Sequence, residues 1–370
     1  MVLKLFQCMN VSLMNKTINT FLLICLFSFS ISQIYDFSDL PNDDESFSVA
    51  DFRLYVPEDI DTIKGIYAYM HGFGGDSRYI VQDSSMQALV KSIDFALMGV
   101  RLDNMHMDSG IGNSLLDAKS NFAEQANHNE LNFSPLFFEG YSWGGQWSYH
   151  YTEWHHEDVI AFITMKGGYH DTTYSANAIH VPGYMFIGEN DSDYRIDNLT
   201  NIFLNHRPFG AIWALAMEPN AGHNRVTDRN LLDNFLFDMI DKRLPNSFDT
   251  EQPISLLEIS EDSGWLGNRT NYIISPYECY DQEIDTLSWL SNSLNAQNWQ
   301  YFVSDSSVDT INNCNLGDLN FDGILNIYDI LILLDIILDN SNYDESADMN
   351  YDQILNIQDI LILIQEILNS

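Results

Sequence analysis

Between residues 47 and 244 short apolar runs alternate with amphipathic stretches, and this restricts the fold more than any other feature of the chain. Runs at 52–56, 65–70, 95–100, 136–139, 159–165, 184–187 and 212–217 have the length of strands. Helix-period stretches near 86–91, 115–126, 146–154, 199–205 and 230–241 lie between them. Strands separated by helices do not pair as hairpins, so the pattern predicts an α/β fold: a mostly parallel sheet flanked by helices. Hydrophobic residues are 45% of the 370, enough for one large core and something smaller.

Ser142 stands in Gly-Tyr-Ser-Trp-Gly, after an apolar run and before a helix-like stretch. A serine on such a turn projects its hydroxyl at the strand's C-terminal end, and the glycines permit the tight backbone. The following helix N-terminus favours developing negative charge. Downstream, Met185-Phe186-Ile187-Gly188-Glu189-Asn190-Asp191 ends a predicted strand with an acid beyond it, and Asp193 is a rival for the same role. Ala221-Gly222-His223-Asn224 follows the next predicted strand. Serine, acid and histidine in that order fit a nucleophile (Ser142), an orienting carboxylate (Asp191) and a base (His223); the competing reading of His223 is a structural loop residue. Upstream, a strand runs into His71-Gly72-Phe73-Gly74-Gly75. Glycines bring backbone amides close to a substrate oxygen, so the expected oxyanion donors are the amides of Phe73 and Trp143. His71 is expected to shape this loop. A phosphate-binding reading lacks the Gly-Lys-Ser/Thr ending.

Residues from about 47 to 244 resemble the α/β-hydrolase superfamily, particularly compact secreted esterases with a His-Gly-x-Gly-Gly loop, such as feruloyl and acetylxylan esterase-like proteins. The resemblance implies an α/β-hydrolase fold and a serine carboxylic-ester hydrolase that needs no catalytic cofactor. Peptidases and lipases share the fold, so a serine peptidase is one alternative. A catalytically idle binding or assembly protein is the other.

The chain ends in a repeat. Gly-Asp-Leu-Asn-Phe-Asp-Gly-Ile-Leu-Asn-Ile-Tyr-Asp begins at Gly317, and Ala-Asp-Met-Asn-Tyr-Asp-Gln-Ile-Leu-Asn-Ile-Gln-Asp begins at Ala347. In the first copy Asp318, Asn320, Asp322, Asn326 and Asp329 hold positions 1, 3, 5, 9 and 12 of a calcium loop, with Ile324 offering its carbonyl at position 7. The second copy supplies Asp348, Asn350, Asp352, Ile354, Asn356 and Asp359. Gln353 replaces Gly323 at the sharp bend, which predicts a strained and weaker second loop. The pair resembles a dockerin, a small all-α calcium module that docks onto cohesin domains. That resemblance implies structural calcium, a cohesin-bearing scaffold or surface partner, and contact residues at Ile327-Tyr328 and Ile357-Gln358. Those pairs differ between the halves, which counts against symmetric docking. The helices that follow are too short to span a membrane.

Lys16 and the apolar run 21–27, followed by Ser28–Ser32, predict a secretory signal peptide over residues 1–32. A membrane anchor or a lipoprotein site at Cys25 fits less well. The expected organisation is therefore the leader 1–32, a catalytic domain 33–246, an extension 247–313 packed on it, and the dockerin-like module 314–370. The protein is expected to be secreted, with cell-surface attachment through the module. Cys279 and Cys314 would remain, either paired or as free thiols. In the extension a helix is predicted over 284–294, and Trp289, Trp299, Tyr301 and Phe302 are expected to pack against the core and shape one cleft wall. A net charge of −37 repels phosphate backbones and argues against nucleic acid as a partner. The expected substrate is an ester, polysaccharide-linked by association with the dockerin.

Overall fold

The computed structural model describes residues 33–280, 283–305, 311, 316–320, 324–339 and 343–369. The leader assigned to 1–32 lies outside these residues, as do Asp322, Gly323 and Cys314. Cys279 is disulfide-bonded.

An eight-stranded sheet forms the centre: β1 (Ile34–Asp39), β2 (Ala50–Tyr55), β3 (Gly65–Met70), β4 (Phe95–Leu102), β5 (Leu136–Tyr141), β6 (Val159–Met165), β7 (Gly183–Gly188) and β8 (Trp213–Glu218). The order is β1-β2-β4-β3-β5-β6-β7-β8. The β1–β2 and β2–β4 pairings are antiparallel, and all the others in this sheet are parallel. The predicted α/β architecture is therefore present, and the seven predicted strands all form; β1 is the addition. β6 and β7 are buried at every position, because helices cover both faces.

The covering helices are α1 (Ser84–Ser92), α2 (Ile111–Ala126), α3 (Trp143–Trp154), α4 (Asp193–His206) and α5 (Arg229–Arg243). One core gathers α2, α3 and α4 residues such as Phe122, Trp147 and Phe203; the other gathers Val90 of α1 and Phe235 of α5. The order β4-β3-β5 reverses the direction of winding at β3. The loops leaving β3 and β5 therefore separate there, which opens a crevice at the strands' C-terminal ends.

Residues beyond 245 contribute to the second core. A small antiparallel sheet joins β9 (Trp265–Gly267), β10 (Ile274–Pro276) and β11 (Ser288–Leu290), and α6 (Ser293–Val303) follows. The helix predicted over 284–294 is thus corrected. Ser288–Leu290 pairs with β9, and the Asn292 side chain accepts from Asn295 N at 2.8 Å to start the helix later. A tertiary partner strand overrode the local periodicity. Trp289 and Trp299 are buried as expected, Phe302 packs on Phe186, and Tyr301 is exposed. This segment also covers the free edge of β8. Leu215 N donates to Ser288 Oγ at 3.0 Å, while Ser288 Oγ and Trp299 Nε1 donate to Leu215 O, both at 3.0 Å.

The terminal repeats form α7 (Ile327–Asp339) and α8 (Ile357–Asn369), packed over a small core that includes Leu333 and Leu363. Glu345 joins this unit to the rest: it accepts from Trp265 Nε1 at 2.8 Å and from Ser293 N at 2.7 Å. Among the described residues no helix is long and apolar enough to cross a membrane.

Candidate active site

Ser142 is the hinge between β5 and α3, with φ 53° and ψ −119°. A non-glycine residue there carries about 1–3 kcal/mol of strain, sustained only because the surroundings over-determine it. Ser142 N donates to Met165 O at 2.6 Å, and Ser142 O accepts from Gly145 N and Gln146 N. Close packing demands the glycines on either side. A Cβ at Gly140 would lie 2.5 Å from Gly144 O, and one at Gly144 would lie 2.4 Å from His71 O.

The three residues singled out in sequence converge. Ser142 Oγ is 3.0 Å from His223 Nε2, and His223 Nδ1 is 2.8 Å from Asp191 Oδ2. Asp193 instead opens α4. Burial works to raise the Asp191 carboxyl. Its bonds to His223, to Ser192 N and to Arg195 outweigh this and hold it below its ordinary value. Tyr141 supports the imidazole with its ring at 5.3 Å and donates its hydroxyl to His223 O at 2.9 Å.

The loop after β3 abuts this hinge: a Cβ on Gly72 would meet the Tyr141 ring at 3.3 Å and Ser142 Cβ at 3.7 Å. Phe73, Gly74 and Trp143 line a common hollow of about 240 Å³. Trp143 is the first residue of α3, where the backbone amide has no intrahelical acceptor. His71 is buried, stacks on Trp143 at 5.5 Å and accepts from Leu102 N at 3.2 Å. Burial lowers its pKa, so it sits in the loop as a neutral ring, the loop-shaping place expected of it.

Several residues at the site were not foreseen. The loop carrying His223 is tied down on both sides by buried charge. Lys166, fully buried at φ 56°, pairs with Glu218 and donates to Asn224 Oδ1 at 3.3 Å. Arg225 and Arg229 both pair with Glu139, whose carboxylate also accepts from Tyr67 OH. Burial pushes the Glu139 carboxyl up, yet the two guanidinium groups and Tyr67 prevail and leave it lowered. A signal was present for some of them: the chain has only 16 Lys and Arg, and Arg195, Arg225 and Arg229 fall within a few residues of Asp191 and His223, whereas Lys166 is far from every motif. The hollow above is not lined by the extension, so the expected cleft wall comes from other loops.

The terminal loops repeat one geometry. Asp329 accepts from Leu319 N (2.9 Å) and Asn326 N (2.8 Å), and Asp359 from Met349 N (3.0 Å) and Asn356 N (2.8 Å). Asp329, Asp348 and Asp359 are fully buried, and no Lys, Arg or His follows Arg269 in the sequence. Gln353 adopts φ 63°, the left-handed bend that a glycine would take more easily. Among the described residues no three His, Cys, Asp or Glu side chains converge, so a cation here would also need the Asn side chains and backbone carbonyls. Hard oxygen donors around buried, unneutralised carboxylates fit calcium.

No protein-family model matches the chain, and no curated protein does. Among solved structures, an acetyl xylan esterase from Aspergillus awamori aligns at 12% identity over 56% of this chain and 100% of that one, with a TM-score of 0.43. A ferulic acid esterase aligns at 12% identity over 53% and 93%, with a TM-score of 0.38. A fluorophosphonate-binding serine hydrolase from Staphylococcus aureus aligns at 12% over 56% and 98%, with a TM-score of 0.39. Overlaps this loose say nothing about substrate.

Proposed function

We propose that the chain is a secreted serine carboxylic-ester hydrolase acting on polysaccharide-linked or other small acyl esters. The observation that carries this is the hydrogen-bonded row Ser142–His223–Asp191 at 3.0 and 2.8 Å. His223 Nε2 takes the Ser142 proton as Oγ attacks the ester carbonyl. Asp191, its carboxyl held below the ordinary value by its bonds to His223, Ser192 N and Arg195, orients the imidazole and stabilises its protonated form. The amides of Phe73 and Trp143 receive the oxyanion. The protonated His223 then gives its proton to the departing alcohol, and water releases the acyl group by the reverse sequence.

The terminal unit is, in this reading, a dockerin-like tether. Calcium would be held by Asp318, Asn320, Asp322, Asn326, Asp329 and the Ile324 carbonyl, and by Asp348, Asn350, Asp352, Asn356, Asp359 and the Ile354 carbonyl. The ion supplies the positive charge that this part of the chain lacks. Matching apolar stripes stay exposed on the two helices, Ile327, Leu331 and Leu338 on α7 and Ile357, Leu361 and Leu368 on α8. They suit docking onto a cohesin.

A fluorophosphonate probe tests the enzyme: wild type labels, and Ser142→Ala loses labelling together with roughly 10⁴–10⁶-fold of kcat. A folded wild type that resists the probe would leave a binding protein as the better reading. Acetyl, feruloyl and longer acyl esters assayed beside a peptide separate esterase from peptidase.

A further inference from the structure

A cleft of about 530 Å³ opens beside α3, and none of its residues belongs to the row described above. His106 comes from the loop after β4, His150, Glu153 and Trp154 from α3, and Tyr169 and Asp171 from the loop after β6. The loops after β4 and β6 leave the C-terminal side of the sheet, the rim that carries Ser142, while α3 runs away from that rim and presents His150, Glu153 and Trp154 from its far half. The loop at 167–170 touches both the Ser142 hinge and the cleft. A Cβ on Gly167 would lie 3.2 Å from Ser142 O and 2.4 Å from His170 Cε1, and Gly168 N donates to Gln146 Oε1 at 3.0 Å. His150 is eight residues along the helix from Ser142, about 12 Å by helical rise. That is too far for the acyl group under attack and within reach of a polymer that carries it.

The cleft's chemistry is specific. His150 faces Met105 O at 3.1 Å and accepts from Asp171 N at 3.3 Å; His170 lies between Thr164 Oγ1 (2.9 Å) and Asn198 Oδ1 (3.0 Å). Burial lowers both rings, His170 to about 3, so they stay neutral. Burial, with Asp171 nearby, pushes the Glu153 carboxyl up to about 8 against its bond to Tyr149. No Lys or Arg lines the cleft, so an anionic ligand finds no partner. Two aromatic faces remain, Trp154 at 39% and Tyr169 at 65% exposure. The row continues towards the triad: Tyr169 packs on Tyr194 at 5.5 Å, Arg195 covers Tyr194 at 4.6 Å, and Arg195 bonds Asp191 at 3.0 Å.

Flat aromatic faces rimmed by the carboxylates of Asp108 and Asp171, which accept hydrogen bonds, complement a ring with a C–H face and an edge of hydroxyls. We propose that this cleft is a saccharide subsite, with Trp154 and Tyr169 as stacking platforms for the sugar portion of the substrate. Its role in turnover rests on the reading of Ser142 as the nucleophile; the binding does not.

The test titrates full-length Ser142→Ala protein with xylo-, cello-, manno- and arabino-oligosaccharides, followed by tryptophan emission and NMR, with choline and spermidine as cationic controls. At least one oligosaccharide series should bind. Adding Tyr169→Ala should weaken that binding by about tenfold, while Tyr169→Phe retains it. Trp154→Ala is the second variant, read only on folded protein. No oligosaccharide binding, binding indifferent to both alanine variants, or binding of the cations alone overturns the proposal. In the Ser142 protein, Tyr169→Ala should raise KM for the acetylated form of the sugar that binds by a larger factor than KM for p-nitrophenyl acetate. Sugar binding through Tyr169 without any esterase activity would sink the hydrolase reading and keep the subsite. Esterase activity without sugar binding does the opposite.

Discussion

Two regions of this chain bury carboxylates among different neighbours. Beneath the His223 loop, Glu139 is met by Arg225, Arg229 and the Tyr67 hydroxyl. In the terminal repeats Asp329, Asp348 and Asp359 are buried where the sequence supplies no basic side chain at all. Covalently attached cations make the first region self-sufficient and let it hold a histidine in place. The second has no such cation in its own segment, and under the calcium proposal its order would follow that ion's concentration.

Calcium removal is the largest way to separate the two. Chelation of the full chain should abolish the cooperative melting of the terminal unit and leave the transition of the eight-stranded domain in place; two unchanged transitions would refute the calcium proposal. Trp265, bonded to Glu345 and ringed by Tyr351 at 6.3 Å, should report the same event as a change in emission. Next in size is Glu139→Ala. Breaking a buried pair costs about 3–5 kcal/mol, and the low end applies because Arg225 and Arg229 keep some water. Denaturant melts should show this loss, with kcat falling as the His223 loop loosens. The pH dependence follows the same logic. A carboxyl lowered by folding contributes stability above its unfolded pKa and loses it as pH falls through the folded value. Glu139→Gln should therefore be destabilised at neutral pH and less sensitive to acid than wild type. The smallest effect is Gln353→Gly, which relieves a left-handed side-chain residue and should stabilise the second loop by about 1 kcal/mol. Calorimetric calcium titration should show tighter binding at that site.

Much of the sheet was legible because β3, β5 and β6 are near-continuous apolar runs bounded by turns. β1 was missed, since its alternating, half-exposed Ile34–Asp39 resembles a polar linker until β2 pairs with it. The short strand at Ser288–Leu290 was misread as helix for a related reason: three residues carry little period, and their pairing partner β9 is distant in sequence. Ser142, His223 and Asp191 could be nominated from order and from strand ends. The clamp of Lys166, Glu139 and Arg225 could not, because its members come from three different strands or the loops after them.

The amino-acid sequence by itself determined the α/β alternation, the Gly-Tyr-Ser-Trp-Gly hinge and the thirty-residue repeat, all of which are local patterns read within a few turns of chain. Only the tertiary structure decided that Asp191 rather than Asp193 meets His223, that the segment after 245 seals the β8 edge, and that an aromatic cleft opens beside α3. Each of these depends on which distant residues the crossover connections bring to one end of the sheet, and local periodicity carries no record of that.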